Sequence, residues 1–305
     1  MYLSYFGLSE KPFSIAPNPQ YLFLSERHKE ALAHLTYGLG EAGGFVLLTG
    51  EVGTGKTTLT RSLQEKLPEN TQVAMIHNPA LSQLELLASI CDEFSIAYDE
   101  ANATLKTLTD AIKKHLEANH ASGGHTILLI DEAQLLSPDV LEQLRLLTNI
   151  ETNHKKLLQI VLVGQPELQE LLKRNELRQL AQRITARYHL LPLTEGQTIA
   201  YIKHRLYVAG CERAMFSADA LKTVYAVTKG IPRLVNLLCE RCLMGAFSKH
   251  VMVVDSDIVM RSAEEALPPS VLQSEVQNEK KSSNWLIPFA FLSVLGAGVG
   301  LSFIF

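Results

Sequence analysis

"FVLLTGEVGTGKTT", residues 45–58, joins a run of apolar residues to a loop in which glycine keeps returning. The apolar part ends at Thr49, and the spacing that follows is G-x-x-x-x-G-K-T, with Gly50, Gly55, Lys56 and Thr57 at the fixed positions and Gly53 between them. Glycines let a backbone wrap a polyanion with its N–H groups turned inward, where side chains would obstruct the approach. The stretch after Lys56, "TTLTRSLQEKL", carries a helical pattern, so the loop feeds a helix N-terminus whose free N–H groups also favour phosphate. Residues Gly50, Glu51, Val52, Gly53, Thr54, Gly55, Lys56, Thr57 and Thr58 are therefore the candidate phosphate cradle. Lys56 is expected to reach the β- and γ-phosphates, and the Thr57 hydroxyl to bind Mg²⁺.

A magnesium–triphosphate complex needs a carboxylate, and "TILLIDEAQLL" supplies two at the end of a second apolar run. A residue at the C-terminal edge of a parallel strand faces the crevice where such sheets bind ligands. Asp131 is placed to hold Mg²⁺ through water, and Glu132 to orient and deprotonate the attacking water. The second acid, and the lack of an N-K-x-D stretch, favour ATP over GTP.

Working outward, "TQVAMIHNP", "HTILLIDEA", "LLQIVLVGQPEL" and "ARYHLLPLT" share the continuous apolar character of strands buried on both faces. Helical patterns such as "ALSQLELLASICDEF" lie between them, which predicts an α/β unit with a parallel sheet sandwiched by helices. After Thr194 the strands stop. Thr194 and Gln197 stand at capping-box spacing, Gly210 and Gly230 at helix ends, Pro232 at a first helical turn, and a fourth helix is expected after "VVDSD". The reading is an α/β domain over 1–193 with an N-terminal arm, then a small all-α lid over 194–268. The arm's Tyr5, Phe6, Phe13, Tyr21 and Phe23 read as core anchors.

Residues 269–284 are polar and aperiodic and read as a tether. Residues 285–305, "WLIPFAFLSVLGAGVGLSFIF", hold no charge, and as a helix would span about 31 Å, close to bilayer thickness. Lys280 and Lys281 precede this stretch, so the positive-inside rule leaves the bulk of the protein in the cytoplasm, as a single-pass protein of the inner membrane. Gly296 and Gly300 form a G-x-x-x-G within it, a candidate helix–helix contact.

The balance of 28 basic and 32 acidic residues argues against a nucleic-acid footprint over the whole surface. Four cysteines are too few for a disulfide framework, and Cys239 and Cys242, a C-x-x-C inside an apolar helical pattern, read as buried thiols.

The phosphate loop, "LLIDEAQ", "VLVGQPEL", "QRITARYHLLPL" and "GIPRLVNLLCERCL" together resemble the AAA+ ATPases. With the opening "YFGLSEKPFSIAPNPQYLFLSERHKEAL" they resemble more narrowly the ExeA/GspA group of secretion ATPases and its MSHA pilus-biogenesis relatives, over roughly residues 1–268. That resemblance implies Gln165 as a γ-phosphate sensor, although asparagine or threonine is more usual there, and Arg233 as a nucleotide-contacting arginine of the lid. It implies a trans-acting arginine supplied to a neighbouring subunit, Arg183 first, then Arg187, with Arg178 a further candidate. It places the segment from Tyr21 to Arg27 near the adenine. It further implies a homo-oligomer such as a hexameric ring, an inner-membrane partner in a pilus or secretion assembly, and lipid contact through 285–305. Two other readings stay open: a nucleotide-switched scaffold with little turnover, and a DNA-acting AAA+ regulator of transposition or replication.

Overall fold

A computed structural model describes residues 1–268 apart from Pro17, Ala42, Gly43, Asn78, Asn153 and His154. The tether over 269–284 and the apolar stretch over 285–305, with Gly296 and Gly300, lie outside the described residues. Among the described residues no helix is long and apolar enough to cross a membrane.

Five strands form one sheet in the order β2-β3-β4-β1-β5, with every pairing parallel: β1 (Gly44–Gly50), β2 (Thr71–Ile76), β3 (His125–Ile130), β4 (Gln159–Gly164) and β5 (Ile184–Leu190). Strand β1 lies inside the sheet, between β4 and β5, and is buried along its whole length, the burial that its unbroken apolar run implies. Successive side chains of a strand leave on opposite faces, and the two cores follow that alternation. Phe45, Leu47, Leu128, Ile130, Ile160 and Leu162 meet α4 (Gln83–Glu93), α5 (Leu105–Ala121) and α6 (Pro138–Leu147) on one face. Val46, Leu48, Ile127, Leu129, Val161 and Val163 meet α2 (Glu26–Glu41) and α3 (Lys56–Gln64) on the other.

The short helices α7 (Glu167–Leu172) and α8 (Arg178–Ala181) lead into β5, which alternates half-buried and exposed residues as an edge strand does. Because β4 and β5 flank β1 on opposite sides, the chain order reverses beside β1, and the crevice beyond its C-terminal end is where ligands settle in such sheets.

After Thr194 come four helices, α9 (Glu195–Val208), α10 (Ala218–Thr228), α11 (Pro232–Ser248) and α12 (Ser256–Ala266). The local signals act as read. Thr194 and Gln197 close a capping box, Ser217 and Asp255 cap α10 and α12, and Pro232 opens α11. Cys239 and Cys242 are fully buried on α11.

The N-terminal arm begins with a five-residue helix, α1 (Tyr2–Phe6). Its aromatic anchors are buried in the core of the C-terminal helices and not in either core of the sheet: Tyr2, Phe6, Phe13 and Tyr21 share one cluster with Tyr201, Phe216, Val235 and Leu243. The phenol of Tyr2 donates to Glu240 at 2.6 Å, and the Ser9 amide donates to the Ala209 carbonyl at 2.9 Å. Arg205, itself only 6% exposed, donates to the Pro12 and Ser14 carbonyls and to the Tyr201 hydroxyl, with its guanidinium 4.7 Å from the Tyr21 ring centroid.

Candidate functional site

Beyond Gly50 the chain turns through Gly53 and Gly55, both with left-handed backbone, at φ +82° and +104°. A side chain is strained at either position. At Gly53 a Cβ would also lie 2.6 Å from the Cβ of Arg233. Thr54 is buried, and its hydroxyl donates to the Glu51 carbonyl at 2.8 Å, which closes the turn from inside. Glu51, Val52 and Thr58 are exposed on the loop and the helix after it. Lys56 opens α3 with Gly55 as its N-cap, and its ammonium donates to the carbonyls of Gly50 at 2.8 Å and Glu51 at 3.1 Å. Burial pushes this ammonium below the ordinary lysine value, with the carboxylates of Glu132 and Asp131 pulling the other way. The lysine is thus a desolvated cation facing two acids and held by two backbone carbonyls.

The acids arrive from β3. Asp131, 7% exposed, accepts from the Thr57 hydroxyl at 3.3 Å through Oδ2 and from the Glu132 amide at 2.9 Å through Oδ1. Glu132 adopts a left-handed backbone with φ +51°, a conformation that costs a residue with a side chain and that recurs at functional sites. Its carboxylate accepts from the Gln134 amide at 2.5 Å and the Gln165 amide at 3.2 Å. The Gln134 hydrogen bond, more than the Gln165 bond and the Lys56 charge, holds the Glu132 carboxyl below its usual range while partial burial opposes the shift. Gln165, just past β4, also donates its backbone N–H to the Gln134 side chain at 3.0 Å. The three residues therefore form one rigid bracket.

A cavity of about 460 Å³ opens over the loop. Lys56, Thr57, Glu132 and Arg233 line one part of it, and Asn18, Tyr21 and Phe23 of the arm another. Arg233, in the first turn of α11, donates its backbone N–H to the Gly53 carbonyl at 3.2 Å.

The three candidate arginines do not join this cluster. Arg183 sits in the turn between α8 and β5, where it donates to the Arg145 carbonyl at 3.1 Å and the Thr148 hydroxyl at 2.9 Å. Its own carbonyl accepts from Phe45, at the end of β1 opposite the phosphate loop. Arg187 lies within β5 and donates to the Ala181 carbonyl, and Arg178 begins α8.

Three site residues escape the sequence reading. Gln134 is inside the "DEAQ" stretch but reveals its role only when Gln165 comes alongside. Arg205 follows Lys203 and His204 on α9 and looks like one more basic residue until the arm folds over it. His28 stands one residue past the segment placed near the adenine; the Ser25–His28 cap spacing is its only local signal.

Residues 40–172 match the family model described as AAA domain. The chain is 58% identical over 265 residues to General secretion pathway protein A of Aeromonas hydrophila, which covers 87% of this chain and 48% of that protein. The chain spans about half the length of this curated relative. Among solved structures it is similar to Cdc6p from Pyrobaculum aerophilum, at TM-score 0.64 and 18% identity over 84% of this chain and 70% of that one. It is also similar to the Drosophila ORC bound to DNA, at 0.63 and 19% over 88% and 68%, and to the RuvB branch migration motor of Thermotoga maritima, at 0.51 and 21% over 79% and 68%. At these identities the structural likeness speaks for the fold alone, a P-loop AAA+ α/β fold with a parallel sheet and helices.

Proposed function

Because this chain carries an AAA domain and is consistent with the ExeA/GspA family of AAA+ ATPases, we propose that it hydrolyses ATP to drive assembly of an envelope machine, a secretion channel or an MSHA-type pilus. One observation carries the reading: Lys56 and Thr57 after β1, Asp131 and Glu132 after β3 and Gln165 after β4 converge at the C-terminal ends of three adjacent strands. Phosphoryl transfer asks for little beyond positioning and charge neutralisation, and this set contains both.

The donor chemistry fits a magnesium nucleotide. Gly53 and Gly55 give the loop the left-handed backbone with which a chain curls its N–H groups around an anion, and Thr57 and Asp131 present a hydroxyl and a carboxylate oxygen to a hard cation. Bound there, Mg²⁺ supplies neutralisation of the phosphate charge. Lys56 exchanges the Gly50 and Glu51 carbonyls for phosphate oxygens. Glu132, kept anionic by two side-chain amides, takes the proton of the attacking water. Gln165 orients that water beside the γ-phosphate, and Arg233 reaches the nucleotide from α11 in the same subunit.

Arg183 stands too far along β1 to serve its own loop, which supports its role toward a neighbouring copy in a homo-oligomeric ring such as a hexamer. The proposal includes the division into a body over 1–193, a lid over 194–268, a tether over 269–284 and an inner-membrane span over 285–305, with the ATPase in the cytoplasm. The composition of the last two segments supports it. The 58% identity to General secretion pathway protein A supports a partner within a secretion assembly.

Phosphate release from ATP by the unaltered chain, Lys56→Ala and Glu132→Gln tests the reading. The expected result is turnover in the first alone, with Glu132→Gln still binding ATP. Equal release by all three overturns hydrolysis at this site.

A further inference from the structure

The corner between α11 and α12 carries apolar side chains that nothing above uses. The six residues from Ser248 to Val253 are all exposed there, and none is acidic. Val251, Met252 and Val253 are 38%, 40% and 47% exposed, and nowhere else among the described residues do three large apolar side chains stand exposed in a row. Met244 and Met260 are exposed about one turn back from the corner on either helix. The chain is fixed on both sides of the three. His250 adopts left-handed backbone at φ +55°, and the His250 and Val251 amides donate to the Phe247 and Ala246 carbonyls, which ends α11. Val254 is fully buried; its amide donates to the Met215 carbonyl at 2.8 Å and its carbonyl accepts from the Ser217 amide at 2.9 Å. Held at both ends, Val251, Met252 and Val253 project outward as part of the fold. The acids that follow stand at the head of α12, where Asp255 accepts from the Ile258 amide at 2.8 Å.

Size narrows what can cover them. Each partner in a stable protein pair buries roughly 800 Å², an area that three half-exposed side chains do not approach. A lipid surface needs less: apolar side chains enter the boundary between headgroups and acyl chains, and a basic neighbour stays with the phosphates. Lys249, exposed two positions before Val251, is such a neighbour. The sequence brings a lipid surface within reach. With 11 residues, α12 puts its far end about 16 Å from the corner. Beyond it, the polar residues 269–284 span no more than about 55 Å before the uncharged stretch over 285–305 begins. We propose that Val251, Met252 and Val253 dip into the headgroup region of the bilayer, so that the helical domain rests on the membrane as well as being tied to it. A surface held this near meets the corner at high effective concentration, and a weak contact suffices. The inference rests on the reading of 285–305 as an inner-membrane span.

The test places the full chain in nanodiscs of equal parts phosphatidylcholine and phosphatidylglycerol, with a nitrobenzoxadiazole probe on Met252→Cys. The four native cysteines are buried, so the thiol probe goes to the new one. Tyr37→Cys, at an exposed position of α2, is the reference. Lipid carrying a nitroxide near its headgroup should lower the Met252→Cys emission by about half and leave that of Tyr37→Cys unchanged, while iodide in the water does the reverse. A probe on Val253→Cys should be quenched by the nitroxide in the same way, and should lose that quenching when Met252→Asp is added. A Met252→Cys probe open to iodide and untouched by the nitroxide overturns the inference. So does one shielded from both, which puts protein over the corner, and so does Val253→Cys quenching that survives Met252→Asp, which makes the probe itself the cause. Trp285, the only tryptophan of the chain, reports the span in the unlabelled protein. If the nitroxide lipid quenches Trp285 but not the probe at Met252→Cys, this inference alone falls. If it quenches neither, the span reading falls and takes this one with it.

Discussion

The first turn of α11 rests on the phosphate loop: the Arg233 backbone N–H donates to the Gly53 carbonyl at 3.2 Å, and the Arg233 side chain covers the glycine. The loop and the first turn of α11 therefore share one joint, and a displacement of either is felt by the other.

Gly53→Ala should break that joint. The new methyl meets the Arg233 Cβ at 2.6 Å on a backbone at φ +82°, so loop and helix must part. A loss of about 2 kcal/mol is expected from the strained conformation, read as a lower thermal midpoint, together with loss of ATP binding. An unchanged midpoint with unchanged binding would refute the joint.

Gln134→Ala removes the leading stabiliser of the Glu132 anion. In the unaltered chain the carboxylate is held below its ordinary value, so it stays ionised as pH falls until that lowered pKa is crossed. Without Gln134 the pKa rises, and the acid limb of phosphate release should move to higher pH while the rate on the plateau changes less. A profile that scales down without moving would argue against Glu132 as the proton acceptor.

Thiol chemistry should be silent in the folded protein. Burial pushes Cys91 up to about 11 and Cys242 up to about 12, with Cys239 raised as well, and all four cysteines are buried. The thiolate is the reactive form, so Ellman's reagent should find no fast-reacting thiol in the native chain and all four after denaturation. A rapid equivalent in the native state would contradict the burial.

Phe13→Ala should cost about 3–5 kcal/mol, since the ring is 1% exposed and packs edge-on against Phe216 at 6.3 Å. Urea unfolding measures it. A change within error would mean that the arm leaves the helices in solution.

Arg183→Ala and Lys56→Ala each remove one half of a shared site if the arginine acts in trans. Each alone should release little phosphate, and mixing the two should restore a fraction of the activity, because some interfaces pair an intact loop with an intact arginine. No recovery on mixing, with both variants assembled, would remove Arg183 from the role.

The parts of this molecule legible beforehand are those whose cause is local. Strands β1, β3 and β4 are buried on both faces, so Phe45–Leu48, Ile127–Ile130 and Ile160–Val163 had to be apolar without interruption. The loop declares itself because left-handed backbone at Gly53 and Gly55 and a lysine at the head of α3 come at fixed spacing. The acids are legible because carboxylates directly after "ILLI" have nowhere to go but the sheet's C-terminal edge. What stayed hidden depends on partners distant in sequence. His28 meets Gly55, Gln134 meets Gln165, and Arg205 meets Pro12, and each looks ordinary until the chain has closed on itself. The short helix α1 has too few residues to show a period, and its shape is set by the bundle it enters.

That closure has a bearing on biosynthesis. Tyr2 reaches Glu240 across 238 positions, so the aromatic side chains of the arm wait for synthesis to pass α11 before they find cover. Such distant pairings are slow to form, and until then the nascent amino-terminal segment is adhesive. Its shielding requires α11, and a translation product halted before α11 would expose that segment to holding chaperones.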